Sequence, residues 1–193
     1  MVQIPRWVRV DISSAEGEVL GMVKASEGNC TRIDIQKLQY RADAETCARM
    51  MADSEPWLTL RRDYVASLEI LTDPSREVYL AMVDSEIAGF TVLIMNGAFV
   101  GYLQSICVAP QWRDKGIGSQ LMDFAEKRVF GETPNVFICV SSFNRRVQKL
   151  YERRGYEVIG ELKDWIVPGH SEILLRKTIA PLTDFKGESY RPP

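Results

Sequence analysis

From Ile33 onward the spacing of apolar residues alternates between a period of two and a helical period, and these changes divide the chain into elements. IDIQKLQY alternates as a half-buried strand does. Ala44, Cys47 and Met51 then recur at helical spacing behind Asp43, a residue type suited to capping the helix start. A second helix is expected after Glu55-Pro56-Trp57, with Tyr64, Leu68 and Leu71 on one face and Asp73-Pro74-Ser75 at its end. REVYLAMV, EIAGFTVLIM and AFVGYLQSICV read as three strands of an antiparallel meander, turning at Asp84-Ser85 and at Asn96-Gly97. Asn-Gly is the dipeptide that favours a two-residue type I′ turn, and Pro110 ends the third strand.

The pattern changes again at Gly116 and Gly118, which lead into a helix with Leu121, Met122, Ala125 and Val129 facing inward. NVFICVSS is a continuous apolar run, as expected of a strand at a sheet centre. The next helix runs from about Asn144 to Arg154, and Gly155 follows where a left-handed C-cap favours glycine. YEVIGELKDWIV and SEILLRKTI supply two final strands around Pro168-Gly169. Residues 1–32 read as an N-terminal extension whose WVRVDI and EVLGMV runs fit a short hairpin. An isolated hairpin is marginal in water, so it is expected either to pack in cis or to serve as an arm in a homodimer. Residues 33–180 form the main domain and 181–193 a frayed tail.

Composition narrows the function classes. The 24 Lys and Arg against 26 Asp and Glu leave a net charge of −2, so nothing attracts a polyanion and nucleic acid is not an expected partner. The run from Ile87 to Pro110 is long and apolar enough for a membrane span, but Asn96-Gly97 divides it into two buried strands, and no membrane partner is expected. Cys30, Cys47, Cys107 and Cys139 form no CxxC pair and His170 is the single histidine, so no metal site is expected. The N-terminal residues lack the apolar core of a signal peptide, which points to the cytoplasm and reduced thiols.

The segment SICVAPQWRDKGIGSQLM carries the candidate chemistry. A strand passes through a short glycine loop into a helix, whose first N–H groups are unpaired and carry partial positive charge. Glycine lets an anion approach them closely, and Arg113 and Lys115 add cationic charge nearby. A GxG pair alone is equally consistent with a tight turn. Its surroundings decide between the two. Arg113-x-x-Gly116-x-Gly118, after a strand ending Val108-x-Pro110, resembles the acyl-CoA pyrophosphate loop of the GCN5-related N-acetyltransferase (GNAT) superfamily. The stretch from Asn144 to Tyr156 is similar to that family's N-x-x-A-x-x-L-Y-x-x-x-G-[FY] and departs from it at Val147. The resemblance covers roughly Ile33 to Lys177.

The resemblance implies an α/β (α+β) fold: a twisted mixed sheet of about six to seven strands flanked by helices, whose splayed fourth and fifth core strands admit the pantetheine arm of acetyl-CoA. Carried over residue by residue, Ile106, Cys107 and Val108 would offer backbone groups to the acetyl and pantetheine part. Arg113, Asp114, Lys115, Gly116, Ile117, Gly118 and Ser119 would surround the pyrophosphate, and Asn144 and Tyr151 would close the thiol end. The implied reaction is direct attack by a neutral amine on the thioester, with the Val108 N–H as oxyanion donor and Tyr151 as general acid.

The proton acceptor is less legible. Relatives carry a glutamate at the fourth-strand position occupied here by Gln104, or at the fifth-strand position occupied by Cys139. Neither is a carboxylate: Gln104 can orient a water but cannot remove a proton at neutral pH, and Cys139 in an apolar run reads as a buried packing residue, which leaves a water chain ending at another group, with His170 and Glu172 as candidates. Trp57 and Tyr102 are expected to line the acceptor site with Gln104, His170 and Glu172, and Arg145, Arg146, Lys149, Arg153 and Arg154 form a basic helix surface. The expected function is N-acetyl transfer from acetyl-CoA to a primary amine of a small metabolite, peptide or protein. The alternative is a non-catalytic acyl-CoA-binding regulatory module of the same fold.

Overall fold

The computed structural model describes residues 33–187. The hairpin or dimer arm expected in residues 1–32 and the last residues of the tail lie outside the described residues. In chain order the elements are β1 (Asp34–Lys37), α1 (Arg41–Ala52), α2 (Tyr64–Thr72), β2 (Arg76–Val83), β3 (Glu86–Ile94), β4 (Tyr102–Val108), α3 (Ile117–Phe130), β5 (Asn135–Ser141), α4 (Arg145–Arg153), β6 (Glu157–Leu162) and β7 (Glu172–Thr178). They form a seven-stranded mixed sheet in the order β1-β2-β3-β4-β5-β7-β6. Every neighbouring pair is antiparallel except β4 and β5, which run parallel because α3 crosses over between them.

Helices cover both faces of the sheet. On one, Ala44, Cys47, Ala48 and Met51 of α1 and Ile70 and Leu71 of α2 pack against Val78, Leu80, Phe90, Val92 and Cys107. On the other, Met122, Ala125 and Val129 of α3 and Tyr151 of α4 pack against Leu93, Leu103, Val136, Ile138 and Leu175. Among the described residues, no helix is long and apolar enough to cross a membrane. The apolar run from Ile87 to Pro110 lies mostly in β3 and β4, as its division at Asn96-Gly97 implied.

Two local expectations are corrected. Tyr40, not Asp43, is the N-cap of α1; it makes no side-chain cap bond, and Asp43 lies within the first turn, where its charge complements the helix dipole. The second correction concerns the turns. Asp84 and Ser85 have φ of 47° and 67°, so the tight primed-type turn falls there. Ile94 pairs with Tyr102, so Asn96-Gly97 lies in a loop between β3 and β4 instead of making a two-residue turn. The loop closes with the Gly101 N–H donating to the Ile94 carbonyl at 3.1 Å. Competing contacts explain the difference: the Asn96 Nδ2 donates to the Ser75 carbonyl at 2.9 Å, and Phe99 packs edge-on against Phe137 of β5 with ring centroids 5.0 Å apart.

The contact between β4 and β5 is short. Tyr102 pairs with Phe137 and Leu103 with Ile138, and the ladder goes no further. At Gln104 the β4 strand bulges: Leu93 pairs with Leu103, yet Val92 pairs with Ser105. A bulge increases local twist and re-aims a strand, and β4 leaves β5 at this residue. Gly101 fixes the approach just before it. With φ of 89°, a Cβ there would lie 2.4 Å from the Asn135 carbonyl oxygen and 2.5 Å from Val129 Cγ1, so only glycine fits.

An ion network braces the far side. Glu126 of α3, 6% exposed, pairs with Arg154 after α4 at 3.2 Å and with Lys177 of β7 at 2.7 Å, and Arg154 also bonds Asp123. Replacing Glu126 with Gln leaves both cations without their buried counter-charge. The expected loss is about 2–3 kcal/mol in chemical denaturation, toward the low end for a buried pair because both cations keep some water access. A loss below about 0.5 kcal/mol would assign the joining of α3, α4 and β7 to apolar packing alone.

Candidate active site

Backbone alternation fixes what β4 shows to the gap beside it. The Ala109 N–H donates to the Ala88 carbonyl of the neighbouring strand at 2.9 Å. Successive residues of a strand point their backbone groups to opposite edges, so Val108 and Ile106 direct theirs away from β3 and into the gap. The Val108 carbonyl accepts from Arg113 Nε at 3.2 Å, while an Arg113 terminal nitrogen donates to Ser54 Oγ at 3.3 Å. Val108 therefore offers the gap an N–H, with its carbonyl already occupied by a cation. Arg113, expected beside an anion, has its side chain turned toward β4 and the end of α1.

The glycine loop leads from this strand end into α3. Gly116 caps the helix at φ 80°. The first bond of the helix runs from the Gln120 N–H to the Gly116 carbonyl at 3.1 Å, which leaves the Ile117, Gly118 and Ser119 N–H groups without intrahelical partners. Lys115 Nζ lies 4.4 Å from the centre of the Trp112 ring. Asp114, at φ 60°, pairs with Arg146 of α4 at 2.9 Å and so joins the loop to the helix on the other side of the gap.

On the α3 and α4 side, Asn144 Oδ1 accepts from the Val147 N–H at 3.4 Å and caps α4. Tyr151 is 4% exposed and packs in the cluster that holds Ile138, Val140 and Ile106, with its ring 5.6 Å from that of Tyr156. Burial raises the Tyr151 pKa well above the usual phenol range, outweighing the Arg154 charge, so the hydroxyl keeps its proton at neutral pH.

The α1 and α2 side holds a different set. A pocket of about 410 Å³ is lined by Asp53, Ser54, Glu55 and Trp57 from the α1–α2 connection and by Ile106, Cys107 and Val108 from β4. Trp57 is 7% exposed and belongs to the core as well as to this wall. Tyr102 is held protonated by burial and by the neighbouring Cys139 and Glu172, against the opposing charge of Arg62. Burial pushes the thiol of Cys139 up to about 11 and that of Cys107 up to about 12. The Gln104 Oε1 is buried and without a hydrogen-bond partner. Glu172 opens β7 opposite Ser141, whose hydroxyl donates to its Oε1 at 2.6 Å. His170 sits two residues earlier, its ring 5.0 Å from that of Phe143.

Tyr102 and Glu172, named from the sequence as acceptor-site residues, thus share one electrostatic neighbourhood with Cys139, which was read as a packing residue. Arg62 and Ser141 belong to it too and were missed, because a cation and a hydroxyl brought together across three elements leave no spacing signal. Among the described residues, no group of three or more His, Cys, Asp or Glu is placed to hold a metal ion.

Residues 39–156, more than half of the chain, match the model of the acetyltransferase (GNAT) family, and the chain belongs to that family. The fold is similar to that of an aminoglycoside 6′-N-acetyltransferase complexed with coenzyme A, at 19% identity and TM-score 0.60, covering 76% of this chain and 97% of that one. It is also similar to the spermidine/spermine N-acetyltransferase of Vibrio cholerae, at 15% identity and TM-score 0.61, covering 78% and 95%. A third similar structure is NAA60 of Arabidopsis thaliana in complex with a bisubstrate analogue, at 16% identity and TM-score 0.62, covering 76% and 98%. No curated protein matches the chain.

The site's thiols give a test of its burial. Cys139, its thiol pushed up to about 11 by burial, is expected to react with iodoacetamide at pH 8 about 10-fold more slowly than in the unfolded chain, because the fall in thiolate fraction outweighs the gain in nucleophilicity. Peptide-resolved mass spectrometry measures this directly. Labelling at the unfolded rate would mean that the cleft side of β5 is open to water.

Proposed function

We propose that the chain transfers the acetyl group of acetyl-CoA to a primary amine of a small metabolite, peptide or protein. The observation that carries this reading is the gap between β4 and β5, with the Val108 N–H at its edge and, at the N-terminal end of α3, the N–H groups of Ile117, Gly118 and Ser119, which have no intrahelical partners. Two sets of donors joined by an open strand edge suit a ligand with an acyl carbonyl, a run of amides and a pyrophosphate. Acetyl-CoA would supply an activated thioester carbonyl for attack by the neutral amine nitrogen.

The residues divide the work by position. The Val108 N–H donates to the carbonyl oxygen as negative charge develops there, and Arg113 on the carbonyl of the same residue adds to its polarity. The α3 N-terminus and Lys115 hold the pyrophosphate. Tyr151, kept protonated by burial, gives its proton to the leaving sulfur from the α4 side. Asn144 acts by capping α4 and so fixing the helix that carries Tyr151. The acceptor enters from the α1 and α2 side, where Asp53 and Glu55 beside Trp57 favour a cationic amine. By their names, two of the similar structures act on aminoglycosides and on spermidine or spermine, which are amines of this kind.

A second reading, a non-catalytic acyl-CoA-binding regulatory module, draws on the absence of a carboxylate at Gln104 and Cys139. A panel of polyamines, aminoglycosides, amino acids and short peptides, assayed for coenzyme A release, separates the two readings.

Two variants test the assignment of roles. Tyr151→Phe is expected to keep acetyl-CoA affinity and lose about 10- to 1000-fold in turnover, the scale of one positioned acid. Equal turnover, with chemistry shown to be rate-limiting, would leave Tyr151 as a packing residue. Acetyl-CoA is expected to raise the melting temperature of the unaltered protein by mass action, and Gly116→Glu to abolish that rise by placing an anion at the pyrophosphate position. A full rise in the variant would remove the loop from the binding site.

A further inference from the structure

A primary amine with a pKa near 10 is about 0.1% neutral at pH 7, so an enzyme acting on it gains from a group that takes the ammonium proton. On the acceptor side of the gap the described residues offer few such groups. The Gln104 amide has no basic lone pair. Tyr102 and Cys139 hold their own protons at neutral pH, the thiol being pushed up to about 11. Arg62 is a cation, and Asp53 and Glu55 are exposed at the rim, with both Glu55 oxygens accepting from Thr59. Glu172 remains.

Its setting is unusual for a residue that only supports the fold. It is 4% exposed, and the one hydrogen bond of its carboxylate among the described residues comes from the Ser141 hydroxyl at 2.6 Å. Arg62 and His170 lie within its field without forming an ion pair with it. Burying a carboxylate on so little compensation costs stability, and a glutamine would accept the same hydroxyl bond without a charge. Register places Glu172 opposite Ser141, and Cys139 lies two residues back along β5 on the same face, next to Tyr102. The carboxylate on β7 thus lies on the face of the sheet that carries Cys139 and Tyr102, where neither Cys139 nor the Gln104 of β4 supplies a carboxylate of its own.

We infer that Glu172 is the terminal proton acceptor for the acceptor ammonium, and that the orphaned Gln104 Oε1 and the Tyr102 hydroxyl position the amine in front of it. The inference rests on the acetyl-transfer reading above. One N–H bond of the ammonium breaks and its proton passes to the Glu172 carboxylate, directly or through one water, leaving a neutral amine. The amine nitrogen bonds to the thioester carbonyl carbon and the carbon–sulfur bond breaks. Sulfur takes the Tyr151 proton, Tyr151 regains one from the nitrogen, and Glu172 releases its proton to solvent. The products are one amide, one thiol and one proton. Donor and acceptor act from opposite faces of the sheet.

The groups facing Glu172 are Ser141 and Cys139 of β5, Tyr102 of β4, Arg62 of the α1–α2 connection and His170 of the β6–β7 loop. Burial raises the carboxyl pKa, while the Ser141 bond, Arg62 and His170 lower it. With the carboxylate as the active form, kcat/KM is expected to rise with pH through a midpoint above the ordinary carboxylate range. It should then level off while the free amine is still almost wholly protonated.

The test is the pH profile of kcat/KM for wild type, Glu172→Gln, Glu172→Asp and Ser141→Ala, with acetyl-CoA affinity and melting temperature measured for each. Glu172→Gln is expected to lose about 100- to 10,000-fold at pH 7 and to lose the plateau, climbing about tenfold per pH unit toward the pKa of the amine. Glu172→Asp should restore a plateau, and Ser141→Ala should move the limb to higher pH. Carboxyl-¹³C NMR of the protein without acetyl-CoA should show one glutamate titrating above the others, absent in Glu172→Gln. A plateau retained in Glu172→Gln, or a uniform loss with unchanged profile shape, would overturn the inference. Should Glu172→Gln not fold, a limb unmoved in Ser141→Ala overturns it instead. An unaltered protein that turns over no amine in the panel would remove the acetyl-transfer reading and this inference together; an active protein with an unaffected Glu172→Gln would remove the inference alone.

Discussion

The rest of the molecule depends on where β4 and β5 stop pairing. Two residue pairs hold them together, and the bulge at Gln104 then turns β4 away. A parallel pair interrupted near its start leaves backbone donors and acceptors unpaired on two facing edges, which water or a ligand must satisfy. The interruption is stable because the surroundings are fixed. Gly101 allows β4 to start hard against β5, and the Glu126 network ties α3, α4 and β7 together behind the gap. The opening is thus set by packing and charge on all sides, and a site fixed in this way lowers the ordering cost of binding.

A gap running through the sheet gives access to both faces, and the two faces are chemically unlike. On the α4 side Tyr151 sits in an apolar cluster that keeps its proton in place. On the α1 and α2 side lie Tyr102, Arg62 and Glu172, a polar group around a buried carboxylate. Acyl transfer from a thioester to an amine requires a proton delivered at sulfur and one removed at nitrogen. Arg113 closes the carbonyl of Val108 and ties the strand end to Ser54, so one residue leaves an N–H presented alone and fixes the loop that follows.

Much of this was legible in the sequence, for reasons that differ from element to element. The glycine loop and the stretch from Asn144 to Tyr156 are local: spacing, capping and positive φ at Gly116 and Gly155 lie within a few residues, so pattern alone places them. The Asn96-Gly97 turn failed because Phe99 on Phe137 and Asn96 on Ser75 are contacts distant in sequence, and together they outweighed the local preference. The Asp43 cap failed by one turn, since Tyr40 begins α1 without a side-chain bond. Glu172 was named as a loop residue near a turn, but its burial opposite Ser141 depends on the pairing of β5 with β7, which no spacing encodes. Arg62 was invisible for the same reason. The residues proposed to bind a backbone-like ligand are thus readable, whereas those proposed to handle the amine proton are assembled from four separate segments.

The central claim is that the open edge of β4 and the end of α3 together bind acetyl-CoA. Amide hydrogen exchange resolved by residue, with and without the ligand, tests it most directly, because alternation along the strand makes the expected pattern specific. Acetyl-CoA is expected to slow exchange at Ile106, Val108, Ile117, Gly118 and Ser119, while Cys107, whose N–H faces β3, changes little. Exchange unchanged at Val108 and at the start of α3 under saturating acetyl-CoA, or protection appearing only elsewhere, would contradict it.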